Sequence, residues 1–159
     1  MKNKFIIIFF LILFSSTLSK SIMADEFIFE VSTLEITDNG NIYKGKSRGK
    51  IKANTQLELI SDSFEYYKET NQLKTSGNVQ LYDFKNSITI NAETIFYFKD
   101  IEKIFTKGKT LIKISDKYTI EGNDLTLLKN KMILSSNKST IITDKKSNMY
   151  KLKEFQYSI

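Results

Sequence analysis

The chain has 159 residues, with 24 basic against 18 acidic side chains and no histidine, cysteine or proline. Without cysteine there is no disulfide framework, thiolate metal site or lipid-modified thiol, and without histidine the commonest general base and metal ligand are both missing. The formal charge of +6 points to an acidic partner only if it belongs to the folded part of the chain.

Much of it belongs to the first segment. Lys2 and Lys4 precede an unbroken apolar run from Phe5 to Phe14, a polar stretch from Ser15 to Met23 follows, and Ala24 stands before Asp25 and Glu26. That order predicts a secretory signal peptide over 1–24, cleaved after Ala24, and an exported, periplasmic product. The apolar run falls short of the roughly 20 residues that span a bilayer. An uncleaved anchor is the alternative, because Ile22 stands where a small residue is usual. Cleavage removes Lys2, Lys4 and Lys20 and no acid, halving the surplus of cations, so no nucleic-acid partner is expected.

From residue 25 to 159 the pattern has period two and predicts a single domain. Phe27, Phe29 and Val31 alternate with polar residues, as do Ile88, Ile90 and Ala92. Val, Ile, Thr, Tyr and Phe dominate, which favours strands. Turn signals recur at Asp38-Asn39-Gly40-Asn41, Lys68-Glu69-Thr70-Asn71, Gly77-Asn78, Lys129-Asn130-Lys131 and Ser136-Asn137-Lys138. Short strands at near-regular spacing predict an all-β sandwich, barrel or roll.

The strands repeat with a period of about 30 residues. One column holds Gly49-Lys50-Ile51, Gly77-Asn78-Val79, Gly108-Lys109-Thr110 and Asn137-Lys138-Ser139, with Leu73, Ile104 and Ile133 four residues ahead of its last three members. A second aligns the segments 61–66, 92–97 and 122–127, and more faintly 31–36. A bend or bulge at the glycine column accounts for it, since the chain there needs positive φ or close backbone approach. Small residues open the second column at Ser61, Ala92 and Gly122, and the apolar parity shifts after them, as at a bulge.

Several motifs invite a sharper reading. Gly40-Asn41-Ile42-Tyr43-Lys44-Gly45-Lys46-Ser47 fits the formal phosphate-loop pattern. The next residues alternate like a strand, however, and a phosphate loop needs a helix there. Lys44, Lys46, Arg48 and Lys50 share one strand face, which as a solvated surface needs no ligand; the functional alternative is a weak contact to headgroup phosphates. Phe64, Tyr66, Phe96 and Tyr97 admit three readings: base stacking, ordinary core, or the lining of a lipid groove. No acidic pair is joined by histidine or cysteine and no nucleophile stands in a triad, so the chain is not expected to be an enzyme, and no catalytic residue, metal or cofactor is assigned.

The Gly-Asn-Val anchor at Gly77 to Val79, with its flanking small-acid-x-apolar-x-aromatic strand, resembles the lipopolysaccharide-transport β-jellyroll family, also called OstA-like. That family includes LptA-like periplasmic proteins and the N-terminal periplasmic domain of LptD. Phe27-Ile28-Phe29-Glu30-Val31, then Leu34-Glu35-Ile36 and Asp38-Asn39-Gly40-Asn41, is most similar to LptD-type openings. The resemblance implies an open antiparallel β-jellyroll, a folded-over roll of the repeats. It also implies a groove for the acyl chains of lipopolysaccharide on their way to the outer membrane. The inward set is then Leu34, Ile36, Ile51, Leu59, Phe64, Tyr66, Leu73, Val79, Leu81 and Ile90, continuing with Ile95, Tyr97, Ile104, Ile112, Ile120, Leu125, Leu127, Ile133 and Ile141. Partners implied are lipopolysaccharide, homologous jellyrolls joined head to tail through the edge strands 26–37 and 150–159, and an outer-membrane barrel. A ligand-free structural or adaptor domain is the alternative that composition alone does not separate.

Overall fold

The computed structural model describes residues 27–53 and 55–159, so the leader expected over 1–24 lies outside the described residues. Among the described residues fifteen strands form one antiparallel sheet: β1 (Ile28–Glu30), β2 (Glu35–Thr37), β3 (Ile42–Gly45), β4 (Gly49–Lys52), β5 (Leu57–Ser61), β6 (Ser63–Tyr67), β7 (Gln72–Asp83), β8 (Ile88–Phe98), β9 (Lys103–Ile114), β10 (Tyr118–Asn123), β11 (Thr126–Leu128), β12 (Ile133–Ser136), β13 (Thr140–Asp144), β14 (Met149–Leu152) and β15 (Phe155–Ser158). The three long strands β7, β8 and β9 are continuous; the others are cut in two by corners. Each of the nine resulting ribbons crosses from one half of the sheet to the other. In the first half the order is β1-β4-β5-β7-β8-β9-β10-β13-β14. The second half pairs β2 with β3, β3 with β6, β6 with β7, β9 with β11, β11 with β12 and β12 with β15. The sheet is therefore a simple up-and-down meander, folded once along a crease so that its halves face each other.

Both sequence columns lie on that crease. The registers of β7 with β8 and of β8 with β9 shift between Ser76 and Val79 and between Ala92 and Thr94. Positive φ at Gly77, Asn78 and Gly108 supplies the bend, as a bulged strand requires. The repeat is one ribbon out and one ribbon back.

Polar chemistry holds the outside of the crease. Asp62 accepts from Arg48 Nη1 at 2.8 Å and from Asn78 Nδ2 at 2.7 Å. Asp124 accepts from the Gly108 N–H at 2.8 Å and pairs with Lys138. Inside the crease the lining is hydroxyl. Ser61, Thr75, Thr106, Thr110 and Thr140 are buried, and several bond to backbone groups that the bend takes out of the ladder. Thr75 Oγ1 donates to Ile95 O at 3.2 Å, and Thr106 Oγ1 accepts the Leu125 N–H at 2.9 Å. A buried backbone group without such a partner costs about 1–3 kcal/mol, which is why a wedge this narrow carries Ser and Thr.

Two expectations are corrected here. The segments 26–37 and 150–159 are not single edge strands: each described part is broken at a corner into β1 and β2, and into β14 and β15. Ile133 and Ile141 are not inward. Leu134 and Ile142 hold the inward places instead, the former fully buried and the latter packed against the core. In the fourth repeat the left-handed residue that opens the strand is Met132, where the third has Glu102. Ile104 therefore corresponds to Leu134, and a one-residue slip in a strand turns every side chain to the other face.

Candidate functional site

The inner face of the folded sheet carries its apolar residues in rows that run across the ribbons. In the first half the middle row is Phe29, Ile51, Leu59, Leu81 and Ile90, then Ile112, Ile120, Ile142 and Tyr150, each in register with the next. In the second half it is Ile36, Tyr43, Tyr66, Leu73 and Tyr97, then Ile104, Leu127, Leu134 and Tyr157. Neither row contains a polar or charged interruption other than tyrosine hydroxyls.

The sequence-assigned residues fall into three groups. Ile51, Leu59, Phe64, Tyr66, Leu73, Val79, Leu81, Ile90, Ile95, Tyr97, Ile104, Ile112, Ile120, Leu125 and Leu127 are buried between the halves. Leu34 and Ile36 are exposed, Ile36 at 54 %, although Ile36 belongs to the inner row. Ile36 lies on β2, an edge strand paired with β3 alone, and Leu34 in the corner that leads into it. Ile133 and Ile141 face outward.

At its N-terminal end the interior is filled with aromatic rings. Phe27 lies 4.7 Å from Tyr66 and meets Tyr97 edge-on at 6.1 Å, while Phe29 stacks on Phe64 at 4.9 Å. Burial pushes the Tyr97 hydroxyl up to about 12, with smaller contributions from the charges of Glu102 and Asp83. At the other end the halves part around a cavity of about 290 Å³ lined by Tyr118, Ile120, Ile142, Asp144, Tyr150, Leu152 and Tyr157. That is at the lower edge of the roughly 300–1,000 Å³ of ordinary ligand pockets, room for part of an acyl chain.

The rim of the inner face, on the side away from the crease, was not anticipated from the sequence. Its row in the first half is Leu57, Asp83, Ile88, Ile114, Tyr118 and Asp144. Asp83 is 1 % exposed, and its partner is Lys129 of the second half, Nζ to Oδ2 3.3 Å, with the lysine side chain 9 % exposed. An acid at inward parity after Val79 and Leu81 was the available signal.

The cations proposed for headgroup phosphates are spread across the crease. Lys46 pairs with Glu35 at 3.3 Å, Arg48 with Asp62 at 2.8 Å and Lys50 with Glu58 at 3.1 Å. Lys44 lies in register between Glu35 and Glu65. Ser47 leads into β4, not a helix, so the phosphate-loop pattern has no phosphate-loop geometry. Among the described residues no helix is long and apolar enough to cross a membrane, and no cluster of His, Cys, Asp or Glu is placed to hold a metal.

No family model matches the sequence, and no curated protein matches it. Among solved structures, the chain is similar to LptH, the LptA-homologous periplasmic component of the conserved lipopolysaccharide transport device from Pseudomonas aeruginosa. The TM-score is 0.55 at 12 % identity, over 80 % of this chain and 84 % of that one. With the folded meander and its facing apolar rows, this fixes the architecture: the chain has the β-jellyroll fold of the LptA-type lipopolysaccharide-transport proteins.

Proposed function

We propose that this chain is an exported, non-enzymatic carrier domain that takes up acyl chains of lipopolysaccharide between its two halves and passes them toward the outer membrane. The observation that carries this reading is the pair of uninterrupted apolar rows. Three of their four ends stand exposed on the edge ribbons, Ile36 on one side and Tyr150 (50 % exposed) and Tyr157 on the other, while the fourth, Phe29, is half-buried against the core. A domain that only needed a core would bury those ends. Each methylene moved from water to such a lining is worth roughly 0.8 kcal/mol, so a few chains bind firmly without directional chemistry. Head-to-tail pairing with homologous jellyrolls continues the rows from one molecule to the next, while sugar and phosphates stay in water.

One observation favours the ligand-free adaptor instead: the middle of the interior is fully buried, with Ile51, Leu59, Leu73, Leu81, Ile90 and Ile104 at 0 % exposure. A photocrosslinking residue separates the two. Placed in cells at Tyr157, beside the open cavity, or at Ile95, inside, it captures lipopolysaccharide from both positions if the carrier reading holds. Capture from neither position means a sealed structural domain.

A further inference from the structure

The rim of the fold contains a closure that good packing does not call for. Asp83 interrupts an otherwise apolar stretch of inner rim between Leu57 and Ile88. Its carboxylate accepts the Asn86 N–H at 3.1 Å and Asn86 Nδ2 at 2.9 Å within its own turn. Across the interior it faces Lys129, which sits in the short turn Lys129–Lys131 at the rim of the other half. The pair thus ties the two halves together on the side opposite the crease. A leucine at position 83 would prolong the apolar row and seal the mouth more firmly, because a buried ion pair spends much of its attraction on the lost hydration of both charges. What the pair offers instead is reversibility. When the halves part, both charges regain water, whereas an apolar seam only loses contact.

We propose that Lys129 and Asp83 form a latch across the mouth of the jellyroll, with the crease as its hinge, and that acyl chains reach the middle rows only when the latch parts. This rests on the carrier reading above. Two observations support it independently of the pair. The one apolar cavity between the halves described above, at about 290 Å³, is too small for a lipid with several chains, so the halves must separate to admit one. The crease is also built to bend, with its ladder broken by two bulges and its corners at positive φ.

The chain has no cysteine, so spin labels can be placed at Phe84→Cys and Ile101→Cys. Both residues are exposed, at 61 % and 54 %, and they stand one on each rim. Pulsed electron paramagnetic resonance on this labelled protein should give one narrow, short distance. Lys129→Met leaves the Asp83 carboxylate buried without its cation, and the distribution should broaden toward longer distances. Asp83→Asn with Lys129→Met removes both charges but keeps the acceptor for Asn86, and should restore the narrow distance. Uptake of a fluorescent dodecanoic acid should be faster than wild type in the single variant. In the neutral double variant it should be roughly tenfold slower, as expected if removing the charges stabilises the closed state by the amounts seen for other buried pairs. An unchanged distance in Lys129→Met, or a double variant that stays open, overturns the latch. Should the single variant not fold, wild-type uptake by the double variant overturns it just as well. A wild-type protein that takes up no probe sinks the carrier reading instead, and the distances still judge the latch.

Discussion

Individual side chains show how tightly the N-terminal part of the interior is filled. Gly45 lies beneath the Phe64 ring, where an added Cβ would stand 2.1 Å from Cε1. Gly45→Ala should therefore cost about 1–3 kcal/mol, the usual range for overpacking, as a lowered urea midpoint with an unchanged slope. Tyr97 is 2 % exposed, and its hydroxyl, raised from the ordinary 10.0 to about 12 by burial, is neutral in the fold. A raised folded value means that this contribution is complete below the ordinary tyrosine value and is lost as pH rises toward the folded one. The melting temperature should fall between about pH 10 and 12, and Tyr97→Phe should flatten that fall. If the variant loses stability over the same range with the same slope, another group governs the alkaline limit.

At the scale of elements, the crease is the feature that the sequence displayed most openly and explained least. Its columns were visible because a bend imposes a similar demand on successive ribbons: a small or positive-φ residue on one, and on the next a small residue followed by Asp62, Glu93 or Asn123. Val79, Ile95 and Leu125 could be placed inward for the same reason, since the parity shift at Gly77, Ala92 and Gly122 shows in the sequence. The face of Ile133 could not be read, because the last repeat is offset by one residue at Met132, and nothing local marks a left-handed methionine. Exposure of Leu34 and Ile36 was equally hidden: parity gives the face of a strand, while only the fold tells that β2 lies at an edge. The acids of the crease also set an acid limit. Arg48 first, then Asn78, holds the Asp62 carboxyl below the usual carboxylate range, and Lys138 followed by the Gly108 N–H does the same for Asp124. Lowered folded values give stability that is present above the ordinary aspartate value of 3.8 and lost as pH falls through the folded one. Circular dichroism on acid titration should show Asp62→Asn and Asp124→Asn variants with a shallower loss below that point. An identical acid transition in both variants would place the acid-sensitive groups elsewhere.

At the scale of the whole molecule, the meander dictates how copies or homologues can join. Among the described residues the outermost strands are β1 and β2 on one side and β14 and β15 on the other, and each presents unpaired N–H and C=O groups to any neighbouring strand. Both edge ribbons start in the first half and end in the second: β1 leads to β2 across the crease, and β14 leads to β15. An odd number of ribbons makes this unavoidable. Head-to-tail stacking that keeps the crease in line and continues both apolar rows therefore sets β1 beside β14 and β2 beside β15, running parallel. The slanted ladder of a parallel pair is slightly less stable per residue than an antiparallel one, which suits the reversible head-to-tail joint proposed above. An antiparallel joint would cross the halves and end each apolar row against the wrong partner. Cysteines at exposed positions distinguish the two arrangements: Ile28 and Met149 lie in the first half, Ile36 and Tyr157 in the second. Oxidation of mixed single-cysteine proteins should link Ile28→Cys to Met149→Cys and Ile36→Cys to Tyr157→Cys, and should not link the crossed combinations. Crossed links alone would mean an antiparallel joint and a broken lipid path. No links at all, with lipid capture intact, would mean that something else covers these edges and that the chain works without stacking.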